Sequence, residues 1–146
     1  MLFRSQLERE GIDAEDDAQL EQIVLAQRER TKTIREMAVA SVFFFRRPTA
    51  YDEKAMRKHV TPEVCRLLGG LEHKLAQLTD WSAPDIHAVL SGHATESGVP
   101  LGKLAQPTRL AVCGGTISPP IDATLAILGK EESLSRLAAA MARWVA

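Results

Sequence analysis

The 146-residue chain contains no apolar run near the ~20 residues that a membrane-spanning helix needs. Its first residues, MLFRSQLERE, also lack the apolar core of a secretory signal peptide, because Arg4 and further polar residues interrupt them. These absences argue against a membrane partner. We therefore expect a cytoplasmic protein.

Cysteine and histidine are too few and too scattered to predict a metal site. The two cysteines, Cys65 and Cys113, lie far apart, and none of the four histidines has a ligand partner at a plausible spacing. We expect no metal ligand in this chain. In the cytoplasm both cysteines would stay reduced, and we interpret them as buried thiols.

The nucleotide-binding and catalytic motifs that a sequence can reveal are also missing. There is no GxxxxGK[ST], no GxGxxG after a strand and no HExxH. No serine has a histidine and a carboxylate in a recognisable arrangement. We therefore expect no catalytic residue and no cofactor here, and binding through a helical surface is the more economical function.

The composition favours helices. Aromatic residues make up only 5% of the chain, β-branched alternation is scarce, and Ala, Leu, Glu, Gln and Arg dominate. The length suits one compact domain or two small subdomains. We predict an all-α multi-helix bundle with helical subdomains at residues 1–60 and 61–146, each carrying one part of a binding site.

Charge is unevenly distributed, although the formal net charge is only -1. Residues 1–27 carry seven carboxylates against two arginines, whereas residues 28–60 carry nine Lys or Arg against four carboxylates. The basic segment suits a phosphate backbone, although such charge usually marks a solvated helical face. The near-neutral sum keeps a helical protein-interaction domain as the alternative function.

Helical spacing and capping residues predict most of the helices. The Phe43-Phe44-Phe45 run ends one of them and is interpreted as core rather than as a platform for bases. Residues 99–108 are expected to form a connector with a turn at Gly102-Lys103. In the first part of the chain the predicted helices cover residues 2–10, 18–28 (capped by Asp17), a helix within 27–45 whose apolar stripe runs from Ile34 to Phe45, and 53–59. Further on they are a segment capped by Thr61 that Gly69-Gly70 bends or divides, a helix that begins at Trp81–Asp85 and is closed by Gly98, residues 119–128, and a last helix after Gly129 whose basic residues, including Arg136, face outward.

The stretch RLAVCGGTISPPIDATLAILG, Arg109–Gly129, is the hardest to interpret as packing alone. Gly114-Gly115 allows positive φ and close approach. Ser118 is predicted to cap the next helix with Pro119 at its first position, and Gly129 to close it in the left-handed conformation. A glycine loop before a helix N-terminus favours an anion, although an ordinary helix–loop–helix corner has the same spacing.

Three segments together resemble a known family. They are RERTKTIREMA (28–38), the FFF that follows, and GVPLGKLAQPTRLAVCGGTISPPIDATLAILGKEESLSRL (98–137). In this order they resemble the C-terminal, anticodon-binding part of bacterial-type glutamyl-tRNA synthetase, from about residue 18 to the end. The last run is the specific one, because it combines a GK-x-x-QP-x-R element, a glycine loop and LGKEE-x-x-x-RL.

The resemblance implies a class I aminoacyl-tRNA synthetase whose all-helical C-terminal half reads the anticodon. ATP and Mg would belong to an N-terminal catalytic domain, since HIGH-like and KMSKS-like signatures are absent from this sequence. The implied partners are the glutamate tRNA and that catalytic domain, and a monomer is expected. Whether the glutamine tRNA is also a substrate stays open.

The resemblance also implies site residues. The loop that contacts anticodon bases corresponds to Cys113, Gly114, Gly115, Thr116 and Ile117, and the family's arginine before K-T-L corresponds to Arg30. Family members commonly carry hydroxyl side chains where this chain has Cys113 and Gly115, so contacts there would need the backbone or Thr116. Candidate phosphate contacts are Arg28, Lys32, Arg35, Arg46, Arg47, Lys103 and Arg109.

Overall fold

The computed structural model describes residues 2–145. Within that range the regular secondary structure consists of helices joined by turns and loops, with no strand. The predicted all-α class is confirmed. Contacts divide the chain into two compact units, the first ending at Arg47 and the second starting at Pro48. The prediction placed this division after residue 60. Residues 48–60 fall in the second unit because the helix they contain packs on the helix that ends at Cys113.

The first unit contains three α-helices and a short 3₁₀ helix. These are α1 (Leu2–Arg9), α2 (Asp17–Gln27), α3 (Ile34–Ser41) and the 3₁₀ helix Val42–Phe44. Helix α1 packs on α3, and α2 also contacts α3. Of the three phenylalanines predicted to lie in the core, Phe44 is buried, whereas Phe43 and Phe45 are partly buried. The other large buried side chains of this unit are Phe3, Leu7, Ile12, Leu20, Ile23 and Met37.

The apolar stripe predicted from Ile34 to Phe45 begins with α3 and continues into the 3₁₀ helix, and a turn separates it from α2. The Thr33 hydroxyl accepts a hydrogen bond from the Glu36 N–H at 3.0 Å, and the Glu36 carboxylate accepts one from the Lys32 N–H at 2.8 Å. These local bonds start a new helix at residue 34. The N-cap of α2 is likewise Asp16, whose side chain accepts from Gln19 N–H at 3.1 Å, and not the predicted Asp17.

The second unit contains six helices within the described residues. They are α4 (Glu53–His59), α5 (Pro62–Ala76), α6 (Ala83–Ser97), α7 (Leu101–Cys113), α8 (Ile121–Leu128) and α9 (Lys130–Val145). Helix α5 packs on α6 and α9, while α7 contacts α4, α5, α6 and α9. The core between them is built mainly from leucines: Leu68, Leu71, Leu75, Leu90, Leu104, Leu110, Leu125 and Leu137.

Residues 99–108 are not the predicted connector, because they form most of α7 with Gly102 and Lys103 in its first turn. Pro107 lies inside this helix, where it cannot donate a backbone hydrogen bond. Burial outweighs that loss, since Leu104, Thr108 and Leu110 are fully buried around it. The apolar face of the segment, which only the packed structure reveals, decides for the helix.

Helix α5 also runs unbroken through Gly69 and Gly70, where the sequence predicts a bend or division. A Cβ on Gly70 would meet the His93 ring of α6 at 2.8 Å, whereas one on Gly69 would meet nothing within 4 Å. The His93 Nε2 lies 2.9 Å from the Leu67 carbonyl oxygen. Gly70 therefore permits close contact between two helices instead of breaking one.

Within residues 2–145, no helix combines the length and apolar character that crossing a bilayer requires. No group of three His, Cys, Asp or Glu side chains in the same range is arranged to hold a metal ion.

Candidate nucleic-acid interface

The loop between α7 and α8, residues 114–120, is held at its start by Gly114. This residue caps α7 with φ +81°, in the left-handed region. Its carbonyl oxygen accepts a hydrogen bond from the Asp52 N–H at 2.9 Å. A Cβ at this position would lie 2.9 Å from Pro48 Cβ and 3.0 Å from the Ala50 carbonyl oxygen. Segment 48–52 and the loop therefore fix each other.

The far end of the loop is held by Ser118, which is buried and does not cap α8 as predicted. Its hydroxyl accepts a hydrogen bond from Arg109 Nε at 2.8 Å and donates to the Pro119 carbonyl at 2.7 Å. Thr124 Oγ1 also donates to that carbonyl at 3.0 Å. Helix α8 instead begins at residue 121 after the N-cap Pro120.

The first and last residues of α8 differ from two further predictions. Pro119 precedes the helix and is not its first residue. Gly129 has positive φ, as expected, but its ψ of 160° lies outside the left-handed helical region. Asp122 already supplies a carboxylate in the first turn, so the negative charge that suits this N-terminus comes from the protein.

Arg136 of α9 forms a hydrogen bond to the C-terminal end of α7. Its side chain is buried, with Nη1 donating to the Val112 carbonyl oxygen at 2.7 Å and Nε to the Glu132 carboxylate at 2.7 Å. The predicted outward position of Arg136 is wrong. The i, i+4 spacing of Glu132 and Arg136 was the available signal of a local ion pair, but it is equally typical of exposed helix faces.

Between the two fixed ends, residues 115–117 present backbone and small polar groups to the surface. Gly115 has ordinary φ and a Cβ there would meet nothing within 4 Å. The Thr116 side chain makes no hydrogen bond within the described part of the chain, and Ile117 is 81% exposed. An exposed isoleucine beside a free hydroxyl offers both an apolar and a polar contact to a ligand.

Cys113 is the last residue of α7, and its thiol is turned back toward the protein. The sulfur lies 2.9 Å from the Arg109 carbonyl oxygen and 3.3 Å from the Gly115 carbonyl oxygen. Burial raises the pKa of the thiol, and the Gly115 backbone and the positive charges of Arg109 and Arg136 offset only part of this effect. Cys113 is therefore a protonated thiol near neutral pH. Both Cys113 and Cys65 are half-buried and not the buried thiols expected from the sequence.

In the first unit, Arg30 lies on the turn between α2 and α3, just before the apolar stripe of α3 begins. Its side chain is exposed and has no hydrogen bond or ion pair to any described residue. The neighbouring Arg28, Lys32 and Arg35 are exposed and unpaired in the same sense. Four cations thus surround one turn and the start of α3.

The remaining cations predicted to contact phosphates differ in how many bonds they already form to other groups of the protein. Arg46 donates from Nη2 to the Glu10 and Gly11 carbonyl oxygens at 3.2 and 3.1 Å. Arg109 holds Ser118 and, through Nη1, Gln106 at 3.1 Å. Lys103 pairs with the exposed Glu63 at 3.2 Å, and Arg47 is exposed. Arg46 and Arg109 therefore have structural duties that the sequence did not indicate.

The chain matches the family model described as "Anticodon binding domain" over residues 2–141. Among curated relatives, it is 45% identical over 139 residues to glutamate–tRNA ligase 2 of Halorhodospira halophila, covering 95% of this chain and 29% of that protein. It is 48% identical over 130 residues to glutamate–tRNA ligase 1 of Alkalilimnicola ehrlichii, covering 89% and 28% respectively. The chain thus spans less than a third of the length of these relatives.

The fold is similar to that of solved glutamate–tRNA ligases. The crystal structure of such a ligase from Elizabethkingia meningosepticum in complex with its amino acid matches with a TM-score of 0.90 and 28% identity, over 96% of this chain and 28% of that one. The enzyme from Elizabethkingia anophelis matches with a TM-score of 0.84 and 27% identity, over 96% and 27%. The chain belongs to the anticodon-binding domain family, is homologous to the C-terminal part of glutamate–tRNA ligases, and has tRNA as the partner that this family implies.

Proposed function

We propose that this chain recognises the anticodon of the glutamate tRNA as the anticodon-binding part of a glutamate–tRNA ligase. The observation that carries the proposal is the loop 114–120, which is fixed at both ends and reaches the surface at partly exposed Gly115 and Thr116 and at exposed Ile117, in a chain of the anticodon-binding domain family. A loop held in this way loses little conformational freedom on binding, so its backbone groups can select among bases.

The loop would read unstacked anticodon bases at short range. Proteins read such bases by hydrogen bonds to their Watson–Crick edges and by stacking or apolar contact. Backbone groups of Gly115 and Thr116, together with the free Thr116 hydroxyl, supply the hydrogen bonds in this proposal. Ile117, with 81% of its surface exposed, supplies the apolar contact.

Gly114 and Cys113 would contribute differently. Gly114 holds the loop to segment 48–52 through its carbonyl oxygen, so it presents the following residues instead of contacting a base by a side chain. The Cys113 thiol already lies against two backbone oxygens. We therefore assign direct base contacts to residues 115–117 and a supporting role to residues 113 and 114.

Arg30 would read a base from the first unit. Its guanidinium carries a planar fork of donors, and it is exposed without an internal partner that would have to be displaced. Arg28, Lys32 and Arg35 would contact phosphates around the same turn, because they share its exposure and lack of pairing. Arg46 and Arg109 are assigned to structural contacts instead.

The proposal extends to the whole enzyme, which would ligate glutamate to tRNA as the names of the relatives state for those proteins. ATP, Mg and glutamate would be bound by a catalytic domain outside this sequence, with the enzyme acting in the cytoplasm. Residues 113–117 and Arg30 would then control which tRNA is charged. Acceptance of the glutamine tRNA depends on the base contacts, and RNA binding by this chain can measure it.

The direct test is a titration of anticodon stem-loop RNAs at two salt concentrations. We expect tighter binding of the glutamate stem-loop than of a scrambled loop on the same stem at both concentrations. Specific base contacts cause this preference, whereas phosphate contacts weaken equally with salt for both RNAs. Equal affinity for the two loops at every salt concentration would refute the proposal.

Arg30→Ala and Lys103→Ala separate base reading from phosphate binding. Arg30→Ala should reduce discrimination between the loops, with a cost of about 1–3 kcal/mol on the preferred RNA, whereas Lys103→Ala should weaken both RNAs alike. Both side chains are exposed cations, so the variants are matched in charge. Equal loss on every RNA from both variants would contradict the assignment of Arg30.

A further inference from the structure

We propose that the exposed face of α4, formed by Lys54, Arg57 and Lys58, binds the RNA phosphate backbone that flanks the bases on the loop 114–120. This cationic stripe was not among the residues singled out from the sequence. The inference rests on the proposed function, since it extends the binding surface of the same loop.

The three cations share one side of the helix. They occupy positions i, i+3 and i+4, which lie next to each other on an α-helix, and all three are exposed. Ala55, which lies outside this stripe, is buried, so packing determines which face is presented. None of the three side chains has a hydrogen bond or ion pair to another described residue. The stripe is therefore free to bind anions.

The stripe is attached directly to the proposed base-reading loop. Asp52, the N-cap residue of α4, donates its N–H to the Gly114 carbonyl oxygen at 2.9 Å, and Lys54 follows two residues later. Helix α4 also packs against α7, which carries the loop at its end. The position of the stripe relative to the loop is thus set by a backbone hydrogen bond and a helix contact.

The charges around the stripe leave it cationic. Asp52 and Glu53 lie at the N-terminal end of α4, while Arg57 and Lys58 lie in its last turn. On the adjoining α7, Lys103 is paired with Glu63 at 3.2 Å, so that carboxylate is already matched by a cation. Burial, and then the charge of Lys58, lower the pKa of His59, which is therefore neutral near pH 7.

The dimensions suit a nucleic-acid strand. The stripe spans about 6 Å of helix axis from Lys54 to Lys58, and one strand of a duplex carries a charge about every 3.4 Å along its axis. The stripe can therefore face two or three consecutive phosphates. Lysine and arginine without a fixed bidentate partner give this kind of contact, which adds affinity without base preference.

The test measures the salt dependence of RNA binding with the full chain. The variant Arg57→Gln/Lys58→Gln removes two stripe charges. Arg66→Gln removes one exposed cation of α5 that has no hydrogen bond or ion pair to a described residue, and it is the matched control for the single variant Arg57→Gln. We expect the first variant to bind the glutamate stem-loop about tenfold or more weaker at low salt, and to lower the slope of log K against log salt by about 1.4. The ratio of affinities for glutamate and scrambled loops should not change. Arg57→Lys/Lys58→Arg, which keeps both charges, should bind like the unmodified chain.

The outcomes are distinct. If the unmodified chain prefers the glutamate loop but Arg57→Gln/Lys58→Gln binds with unchanged slope and affinity, the stripe does not contact RNA and this inference is overturned alone. The same conclusion follows if Arg66→Gln loses as much as Arg57→Gln. If the unmodified chain shows no loop preference, the proposed function fails, and the inference fails with it.

Discussion

Gly114 lies so close to Pro48 that a Cβ on the glycine would be only 2.9 Å from the proline Cβ. The same added atom would be 3.0 Å from the Ala50 carbonyl oxygen. Neither neighbour is the end of a flexible side chain that could swing away, since one is a ring and the other backbone. The start of the 114–120 loop thus depends on a residue without a side chain, for both its conformation and its packing.

Gly114→Ala should destabilise the protein by about 1–3 kcal/mol. The substitution places a side chain at φ +81° and forces it against Pro48 and Ala50. Urea unfolding followed by circular dichroism measures the change.

Gly115→Ala is the matched control, because this glycine has ordinary φ and open space where the methyl group would be placed. It should change the free energy of unfolding by less than about 0.5 kcal/mol, as for most surface substitutions. Similar losses in the two variants would show that the 48–52 contact does not constrain the loop.

Gly115→Ser should alter RNA selectivity without loss of stability. It adds a hydroxyl group at a partly exposed position of the proposed base-reading loop, where an added Cβ meets nothing within 4 Å. The affinities for stem-loops that differ at single anticodon positions should change unequally, because a new donor and acceptor favours some base edges over others. Unchanged affinity for every loop would place residue 115 outside the interface.

The two central glycines of α5 should respond oppositely to alanine. Gly69→Ala should stabilise the protein by about 0.5–1 kcal/mol, since it removes backbone entropy from a helix and meets no neighbour. Gly70→Ala should destabilise it by about 1–3 kcal/mol, because its methyl group would meet the His93 ring at 2.8 Å and strain a packed contact. Thermal unfolding of the two variants measures both changes. Stabilisation by both substitutions would contradict the tight α5–α6 contact.

Arg136→Met should destabilise the protein by about 1–3 kcal/mol. The Val112 carbonyl oxygen would lose its buried hydrogen-bond donor while the volume of the side chain is largely kept. Glu132→Gln is the milder comparison, because Glu132 is about a third exposed and its loss leaves the bond to Val112 in place. A larger effect from Glu132→Gln would mean that the ion pair, and not the carbonyl bond, holds Arg136.

Cys113 should be alkylated slowly at neutral pH. Burial raises the pKa of its thiol, so the reactive thiolate is less populated in the folded chain than in the unfolded chain below the folded pKa. The rate of iodoacetamide modification, followed by mass spectrometry of the Cys113 peptide, should rise more steeply with pH in urea than in buffer over the ordinary thiol range. The raised pKa also makes the free energy of unfolding depend on pH. The contribution of Cys113 to stability is fully present below the pKa of the thiol in the unfolded chain, and it is lost as the pH rises through the pKa in the folded chain.

Local capping signals predicted several elements correctly, because all the interacting atoms lie within a few residues. Thr61 accepts a hydrogen bond from Val64 N–H at 3.1 Å with Pro62 in the first turn of α5, and Ser82 accepts one from Asp85 N–H at 3.3 Å. Gly98 closes α6 in the left-handed conformation. The all-α class and the resemblance to anticodon-binding domains rest on composition and ordered motifs, which are also properties of the sequence alone.

The constraints on the loop and the roles of the cations could not be predicted from the sequence, because they depend on contacts between residues that are far apart in the chain. No local sequence feature shows that Arg46, Arg109 and Arg136 donate to distant groups of the fold, whereas Arg30 has no hydrogen bond or ion pair to any described residue. An arginine's role depends on which carbonyl or hydroxyl groups the folded chain brings within about 3 Å of it.

The amino-acid sequence alone determines the helical class, the capped ends of α5 and α6 and the family, since each depends on residue type and short spacing. Tertiary packing decides that α7 forms through Pro107, that α5 passes through Gly70, and that the loop after Cys113 is fixed by Asp52 and Ser118. The physical reason is that burial of apolar faces and satisfaction of buried polar groups are properties of the assembled core, and they outweigh the local preferences of proline and glycine.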